Sequence, residues 1–114
     1  MRRRQLHVHQ EMRVGPLLLL AREGRALYGE APLALTQSGF RILLLLCREY
    51  PHAVSRSALI AHLWGSEPPD SDALKSHIHA LRKQLELAGA AGLLVTIPQL
   101  GYRLAMDAGS RAGP

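Results

Sequence analysis

The sequence contains one cysteine in 114 residues, and this scarcity excludes several classes of protein. A single thiol cannot form an intramolecular disulfide or a cysteine-based zinc cluster. Cys47 ends the run FRILLLLC, which predicts a small buried hydrophobic side chain. Aromatic residues make up only 4%, too few for the base-stacking surface of a single-strand-binding protein.

Long apolar runs and catalytic motifs are lacking too. The runs that occur are far shorter than the roughly 20 residues of a membrane-spanning helix, and no signal-peptide core follows the basic N-terminus. We therefore expect a cytoplasmic protein with no membrane partner. Neither a glycine-rich phosphate loop nor a nucleophile elbow occurs, so we expect no enzyme activity and no cofactor.

Histidines are the only metal candidates in the sequence. His7 and His9 share one face of a predicted strand, with Glu11 beyond them. Two or three ligands are too few for a well-formed site, so exposed strand histidines are the preferred interpretation. We expect no metal site.

Positive charge dominates the chain. The formal net charge is +5, which favours a polyanionic partner, with nucleic acid ahead of an acidic membrane surface. Hydrophobic residues make up 47%, enough for one folded domain with a single core.

Periodicity and turn residues divide the chain into a series of short elements. Alternating apolar residues and glycine-bearing turns predict an antiparallel meander, followed by three capped helices and a hairpin. The predicted strands of the meander are Leu6–Val14, Leu17–Ala21, Arg25–Tyr28 and Pro32–Leu35. The predicted helices run from the cap Thr36 to Glu49, from Arg56 to Trp64 after the cap Ser55, and from Ser71 to Leu85, with Ser71 or Asp70 as cap. The predicted hairpin joins Leu93–Ile97 to Tyr102–Ala105.

The third predicted helix, SDALKSHIHALRKQL, is strongly amphipathic. Its aliphatic residues recur at helical spacing on one narrow face, whereas its cations point the opposite way. Such a helix fits a major groove, although an ordinary solvated surface helix shows the same pattern. The order of elements decides between them, because two helices with a short connection and a following hairpin form a helix-turn-helix with a wing.

Four segments resemble the OmpR/PhoB-type winged-helix effector domain of bacterial response regulators. They are Leu35-Thr36 entering FRILLLL, then VSRSALIAHLW, LKSHIHALRKQL and VTIPQLGYRL. The resemblance covers about Gly15 to Leu104. It implies an α+β fold with an N-terminal antiparallel sheet, a three-helix core and a C-terminal hairpin wing. It also implies that the third helix enters the major groove and the wing touches the minor groove.

The resemblance also assigns roles to individual residues. Lys75, Ser76, His79 and Ala80 occupy positions that face base edges. Positions that usually touch phosphate are held by His77, Arg82, Lys83, Thr96 and Tyr102, and wing packing is an equal alternative for Thr96 and Tyr102. Arg82→Ala is thus expected to weaken binding to all duplexes alike and to lower the salt slope by about one unit. The segment Gly65–Ser71 matches one that contacts RNA polymerase in such proteins, and a plain connector is an equal alternative.

Several residues depart from the family pattern. Gly39 replaces the usual glutamate of the capping box, and Ala80 replaces a frequent arginine. Pro98-Gln99 replaces arginine-glycine at the wing tip, where Arg103 is a candidate substitute and Leu100 is an exposed apolar residue. No receiver domain precedes the winged helix in these 114 residues, so we expect no aspartate phosphorylation switch of the usual kind. The chain is then either a stand-alone regulator or a fragment of a longer protein.

From these features we predict a sequence-specific, double-stranded DNA-binding regulator associated with the bacterial nucleoid, with two copies binding together on DNA. We divide the chain into a basic N-terminal segment with a first strand (1–15), a winged-helix domain (16–106) and a flexible tail (107–114). One alternative is a protein-interaction module that has lost specific DNA binding, which Ala80, Pro98, Gln99 and Leu100 favour. The other alternative is a charge-driven DNA coat without sequence preference.

Overall fold

The computed structural model describes residues 11–65 and 72–106, in which three helices are joined to two antiparallel sheets. The strands are β1 (Glu11–Val14), β2 (Leu17–Leu20), β3 (Arg25–Tyr28), β4 (Ala31–Pro32), β5 (Val54–Ser55), β6 (Leu94–Ile97) and β7 (Gly101–Leu104). The helices are α1 (Gln37–Glu49), α2 (Arg56–Trp64) and α3 (Ala73–Leu87).

The N-terminal sheet is the predicted meander, with strand order β1-β2-β3-β4. Leu17 and Leu19 of β2 are fully buried against the core, whereas Arg13 on β1 is exposed. The prediction of a strand over Pro32–Leu35 was wrong, because β4 is Ala31–Pro32. One further bond, from the Leu33 N–H to the Ala26 carbonyl at 2.9 Å, continues the pairing before the chain turns into α1.

Helix α1 is the centre of the molecule, and its sequence is apolar on nearly every side. Thr36 caps it by accepting a hydrogen bond from the Gly39 N–H at 3.0 Å, so the cap forms without the usual glutamate. Ile42, Leu43 and Leu46 are fully buried, and the helix contacts β1, β5, β7, α2 and α3. The core therefore surrounds α1 on both sides.

The later helices begin and end where small polar residues and glycine stop the helical pattern. Ser55 caps α2 by accepting from the Ala58 N–H at 3.0 Å, and Gly65 ends it. The predicted cap of α3 was too early, because its cap position is Asp72. Asp72 has helical backbone angles and its side chain makes no cap hydrogen bond. At the other end Gly89, with φ +90°, follows the last turn.

The C-terminal hairpin is confirmed and is part of a larger sheet. The order is β5-β7-β6, so the short strand β5 between α1 and α2 pairs with the hairpin. Sequence patterns did not predict β5, because two residues are too few to show an alternation. The pairing holds the hairpin against the helical core.

Some predictions fall on parts of the chain outside the described residues. These are the basic terminus with His7 and His9, the segment 66–71 with Asp70 and Ser71, and the tail 107–114. The division at residue 15 falls in the turn between β1 and β2, which share a sheet. Among the described residues, no helix has the length and apolar character needed to cross a bilayer.

Candidate nucleic-acid interface

Helix α3 has a buried aliphatic face and an exposed polar face. Leu74, Ile78 and Leu81 are at most 3% exposed, and Leu85 continues this face at 1%. The opposite face contains five exposed residues, Lys75, Ser76, His79, Ala80 and Lys83. The burial anchors the helix on the core and leaves a cationic, hydrogen-bonding surface about the width of a major groove.

The lysines of this face form no ion pair with an acidic residue in the described part of the chain. Within residues 11–65 and 72–106 the only ion pair joins Arg25 to Glu23 on the N-terminal sheet, at 3.1 Å. Lys75 and Lys83 are therefore available to an external anion. An exposed cationic helix face is the electrostatic feature that phosphate recognition requires.

Arg82 lies beside the exposed face and reaches the hairpin. Its Nη2 donates to the Leu94 carbonyl at 3.2 Å and to Thr96 Oγ1 at 3.0 Å. Thr96 is exposed, so its side chain is accessible from outside. The structure thus brings two predicted site residues, Arg82 and Thr96, into direct contact.

His77 is half-buried at the edge of the aliphatic face. Its ring centroid lies 5.9 Å from that of Trp64, at the end of α2, with the ring planes 39° apart. This aromatic contact connects the two helices of the helix-turn-helix. The sequence did not identify Trp64 as the partner of His77.

Two predicted wing residues are less accessible than a direct DNA contact requires. Tyr102 is 6% exposed and belongs to the core, which favours the packing alternative for this residue. Arg103 is half-buried, and its Nη1 donates to the Leu104 carbonyl at 3.1 Å. Because Thr96 pairs with Tyr102 and Val95 with Arg103, Arg103 lies on the face of the wing away from Thr96.

The tip of the wing is exposed and apolar. Leu100 is 49% exposed, as predicted, and Pro98 and Gln99 are exposed beside it. Leu87, at the end of α3, is 74% exposed, and no sequence feature singled it out. These two leucines are the large apolar side chains that the described chain leaves most open to solvent.

The fold alters the ionisation of His62 of α2. Desolvation by burial lowers its pKa, and the nearby charges of Arg41 and Arg48 lower it further. Its Nε2 is buried without a hydrogen-bond partner, while its backbone carbonyl accepts from Arg41 Nη2 at 2.8 Å. His62 therefore supports the α1–α2 packing. Among the described residues, no three potential metal ligands come together.

A helix-turn-helix whose second helix presents a cationic face, followed by a paired hairpin, defines a winged-helix domain. The family described as "Transcriptional regulatory protein, C terminal" matches residues 29–104, which is more than half of the chain. The chain belongs to this family.

Individual relatives agree with the family match. The chain is 31% identical over 103 residues to the two-component response regulator PhoP of Pseudomonas aeruginosa, covering 90% of this chain and 46% of that protein. It spans less than half the length of the curated relatives it matches.

Solved structures show the same fold. The DNA-binding domain of CpxR from E. coli has a TM-score of 0.70 at 27% identity, over 82% of this chain and 94% of that one. The AdeR DNA-binding domain, solved in complex with an intercistronic region, has a TM-score of 0.73 at 22% identity, over 81% of this chain and 95% of that one.

Proposed function

We propose that this chain is the sequence-specific, double-stranded DNA-binding part of a transcriptional regulator. The observation that carries the proposal is the exposed face of α3, in which lysines without a direct ion pair and hydrogen-bonding side chains lie opposite a buried aliphatic face. Family membership and the likeness to the AdeR DNA-binding domain, solved in complex with an intercistronic region, support it. In this proposal α3 enters the major groove and the wing lies at the minor groove.

Within α3, different residues carry specificity and affinity. Lys75, Ser76 and His79 face the base edges, where a lysine donates to guanine O6 and N7. Lys83 neutralises a phosphate and contributes salt-dependent affinity. Thr96 is the exposed wing residue placed to donate a hydrogen bond to the DNA phosphate backbone, whereas the burial of Tyr102 favours a packing role.

Partners other than DNA follow from the same proposal. Two copies bind half-sites about one helical turn apart, and analytical ultracentrifugation of the complex measures that stoichiometry. The segment Gly65–Ser71, outside the described residues apart from Gly65, is the proposed contact with RNA polymerase.

Lys75→Ala tests the assignment of base contacts. Because a good base contact provides about 1–3 kcal/mol of discrimination, the variant is expected to select a less restricted set of sequences from a random duplex pool. Lys83→Ala is expected to weaken all duplexes alike and to lower the salt slope by about one unit. Arg22→Ala, which removes the same charge from an exposed turn of the N-terminal sheet, is the matched control. Unchanged sequence selection by Lys75→Ala would contradict the docking of α3.

The second candidate function is a protein-interaction module. The exposed Leu100 at the wing tip is the observation that favours it. In that case Leu100→Asp abolishes the interaction with the partner, while the lysine variants of α3 have no effect on it.

A further inference from the structure

Arg82 connects the recognition helix to the wing through a single nitrogen. Its Nη2 donates to the Leu94 carbonyl at 3.2 Å and to Thr96 Oγ1 at 3.0 Å, and both acceptors belong to β6. We propose that Arg82 is a positioning residue that sets the wing relative to α3, rather than a direct reader of base or phosphate. This inference rests on the proposed function, since it describes how the two DNA-contacting elements are held together.

The two hydrogen bonds to the wing limit the contacts that the Arg82 guanidinium can make with DNA. A guanidinium has five N–H donors, two of them on Nη2, and both Nη2 donors are taken by the wing. Each bidentate arrangement of an arginine uses Nη2 together with either Nη1 or Nε. While both bonds to the wing are formed, Arg82 therefore cannot form a bidentate contact with guanine or phosphate. Bidentate contacts are the strong and geometrically specific contacts of arginine.

The acceptors of Arg82 lie where the hairpin lacks other support. The sheet order β5-β7-β6 makes β6 an edge strand, while β7 is held between its two neighbours. An edge strand presents carbonyl groups without ladder partners, and Arg82 satisfies one of them at Leu94. The hairpin is thus fixed through β5 on one side and through Arg82 on the other.

Thr96 extends the effect of Arg82 towards the surface. Its hydroxyl oxygen accepts from Arg82, which leaves its own O–H free to donate outwards. Thr96 is exposed, so a DNA phosphate is a suitable acceptor. The cation behind the hydroxyl polarises it and strengthens that bond. Arg82 then contributes to DNA binding through Thr96, and the two residues act as one unit.

The proposal predicts that removing either residue of the pair has nearly the same consequence. Arg82→Ala and Thr96→Val are each expected to reduce affinity for a selected duplex about tenfold, since a hydrogen bond to a charged group is at stake. The double variant is expected to lose about tenfold as well, instead of the hundredfold that two independent contacts give. Thr96→Ser keeps the hydroxyl and is the matched control that retains affinity.

Footprinting of the same complexes separates positioning from general loss of binding. Hydroxyl-radical cleavage reports the minor groove under the wing, and dimethyl sulfate reports guanine N7 in the major groove under α3. Arg82→Ala and Thr96→Val are expected to lose minor-groove protection and to keep guanine protection. A merely destabilised domain loses both in proportion.

Amide hydrogen exchange of the free protein tests, without DNA, whether the hydrogen bonds of Arg82 hold β6 in place. Faster exchange in β6 of Arg82→Ala and Thr96→Val, with unchanged exchange in α1, is expected. Additive affinity losses with an intact minor-groove footprint, or unchanged exchange in β6, would overturn the inference. Failure of the wild-type chain to bind any duplex would overturn the proposed function instead, and the exchange result would still decide whether Arg82 fixes the wing.

Discussion

At the scale of single residues, Gln99 has the backbone conformation that suits its side chain least. Its φ is +65°, and it is the one described residue other than glycine with a positive φ. The Leu100 N–H donates to the Ile97 carbonyl at 3.0 Å, so Pro98 and Gln99 are the central residues of a tight turn. Glycine is favoured at this position because it has no Cβ.

Gln99→Gly is therefore expected to stabilise the protein. The substitution relieves the strain of the left-handed conformation, whereas the greater conformational entropy of glycine in the unfolded chain offsets part of this gain. The net increase in the free energy of unfolding is about 0.5–1 kcal/mol. Urea denaturation measures the change. Gln99→Ala keeps the Cβ and is the control, so an equal gain in that variant would show that strain is not the cause.

Cys47 shows how the burial of a titratable group makes the stability of the protein depend on pH. Desolvation raises the pKa of its thiol from 9.0 to about 12. The folded state holds this proton more tightly than the unfolded state does, so the thiol's contribution to stability is complete below pH 9.0 and is lost as the pH rises towards about 12.

A comparison with Cys47→Ala isolates this effect. Above the unfolded pKa, each pH unit is expected to lower the free energy of unfolding of the wild type by about 1 kcal/mol more than that of the variant. Urea titrations at a series of alkaline pH values provide the measurement. Parallel pH profiles for the two proteins would contradict the account.

At the scale of elements, local signals in the sequence predicted most of the fold. Thr36 and Ser55 mark the starts of helices through hydrogen bonds made by their own side chains, and their placement is confirmed. Contacts between distant segments were not predictable in this way. The bond from Arg82 to Thr96 joins residues 14 apart, and β5 is recognisable only by its pairing with β7.

Gly101 illustrates a sequence signal whose physical reason needed the structure. A Cβ at this position would overlap the Val54 carbonyl oxygen and lie 2.8 Å from Ser55 Cα, both in the backbone of β5. The glycine before Tyr102, which contributed to the family resemblance, is thus the residue that lets β5 approach β7.

Gly101→Ala is expected to destabilise the protein by about 2 kcal/mol or more, because backbone atoms must shift and β5–β7 pairing weakens. Thermal or urea unfolding measures it. Gly39→Ala is the contrasting control, since its Cβ would meet nothing closer than Thr36 Oγ1 at 3.4 Å. That variant is expected to gain about 1 kcal/mol from helix propensity. Equal stability of wild type and Gly101→Ala would contradict the close-approach argument.

At the scale of the whole molecule, α1 forms the centre of the core and α3 carries exposed positive charge. Helix α1 packs against both later helices and both sheets, so α3 and the wing are held on a common core. The net charge of +5 predicted a polyanionic partner, and the exposed lysines of α3 provide a surface for it. The individual contacts to bases and phosphates stay predictions, because the direction of each side chain towards DNA depends on the complex.

The most direct test of the central claim is fluorescence-anisotropy titration of the purified chain across a salt series. Two duplexes are compared, one selected from genomic fragments by the chain itself and one with the same composition in scrambled order. The account predicts that the selected duplex binds at least about 10³-fold more tightly. It also predicts a steep loss of affinity between about 50 and 200 mM salt. Equal affinity for the two duplexes would contradict sequence-specific recognition by α3.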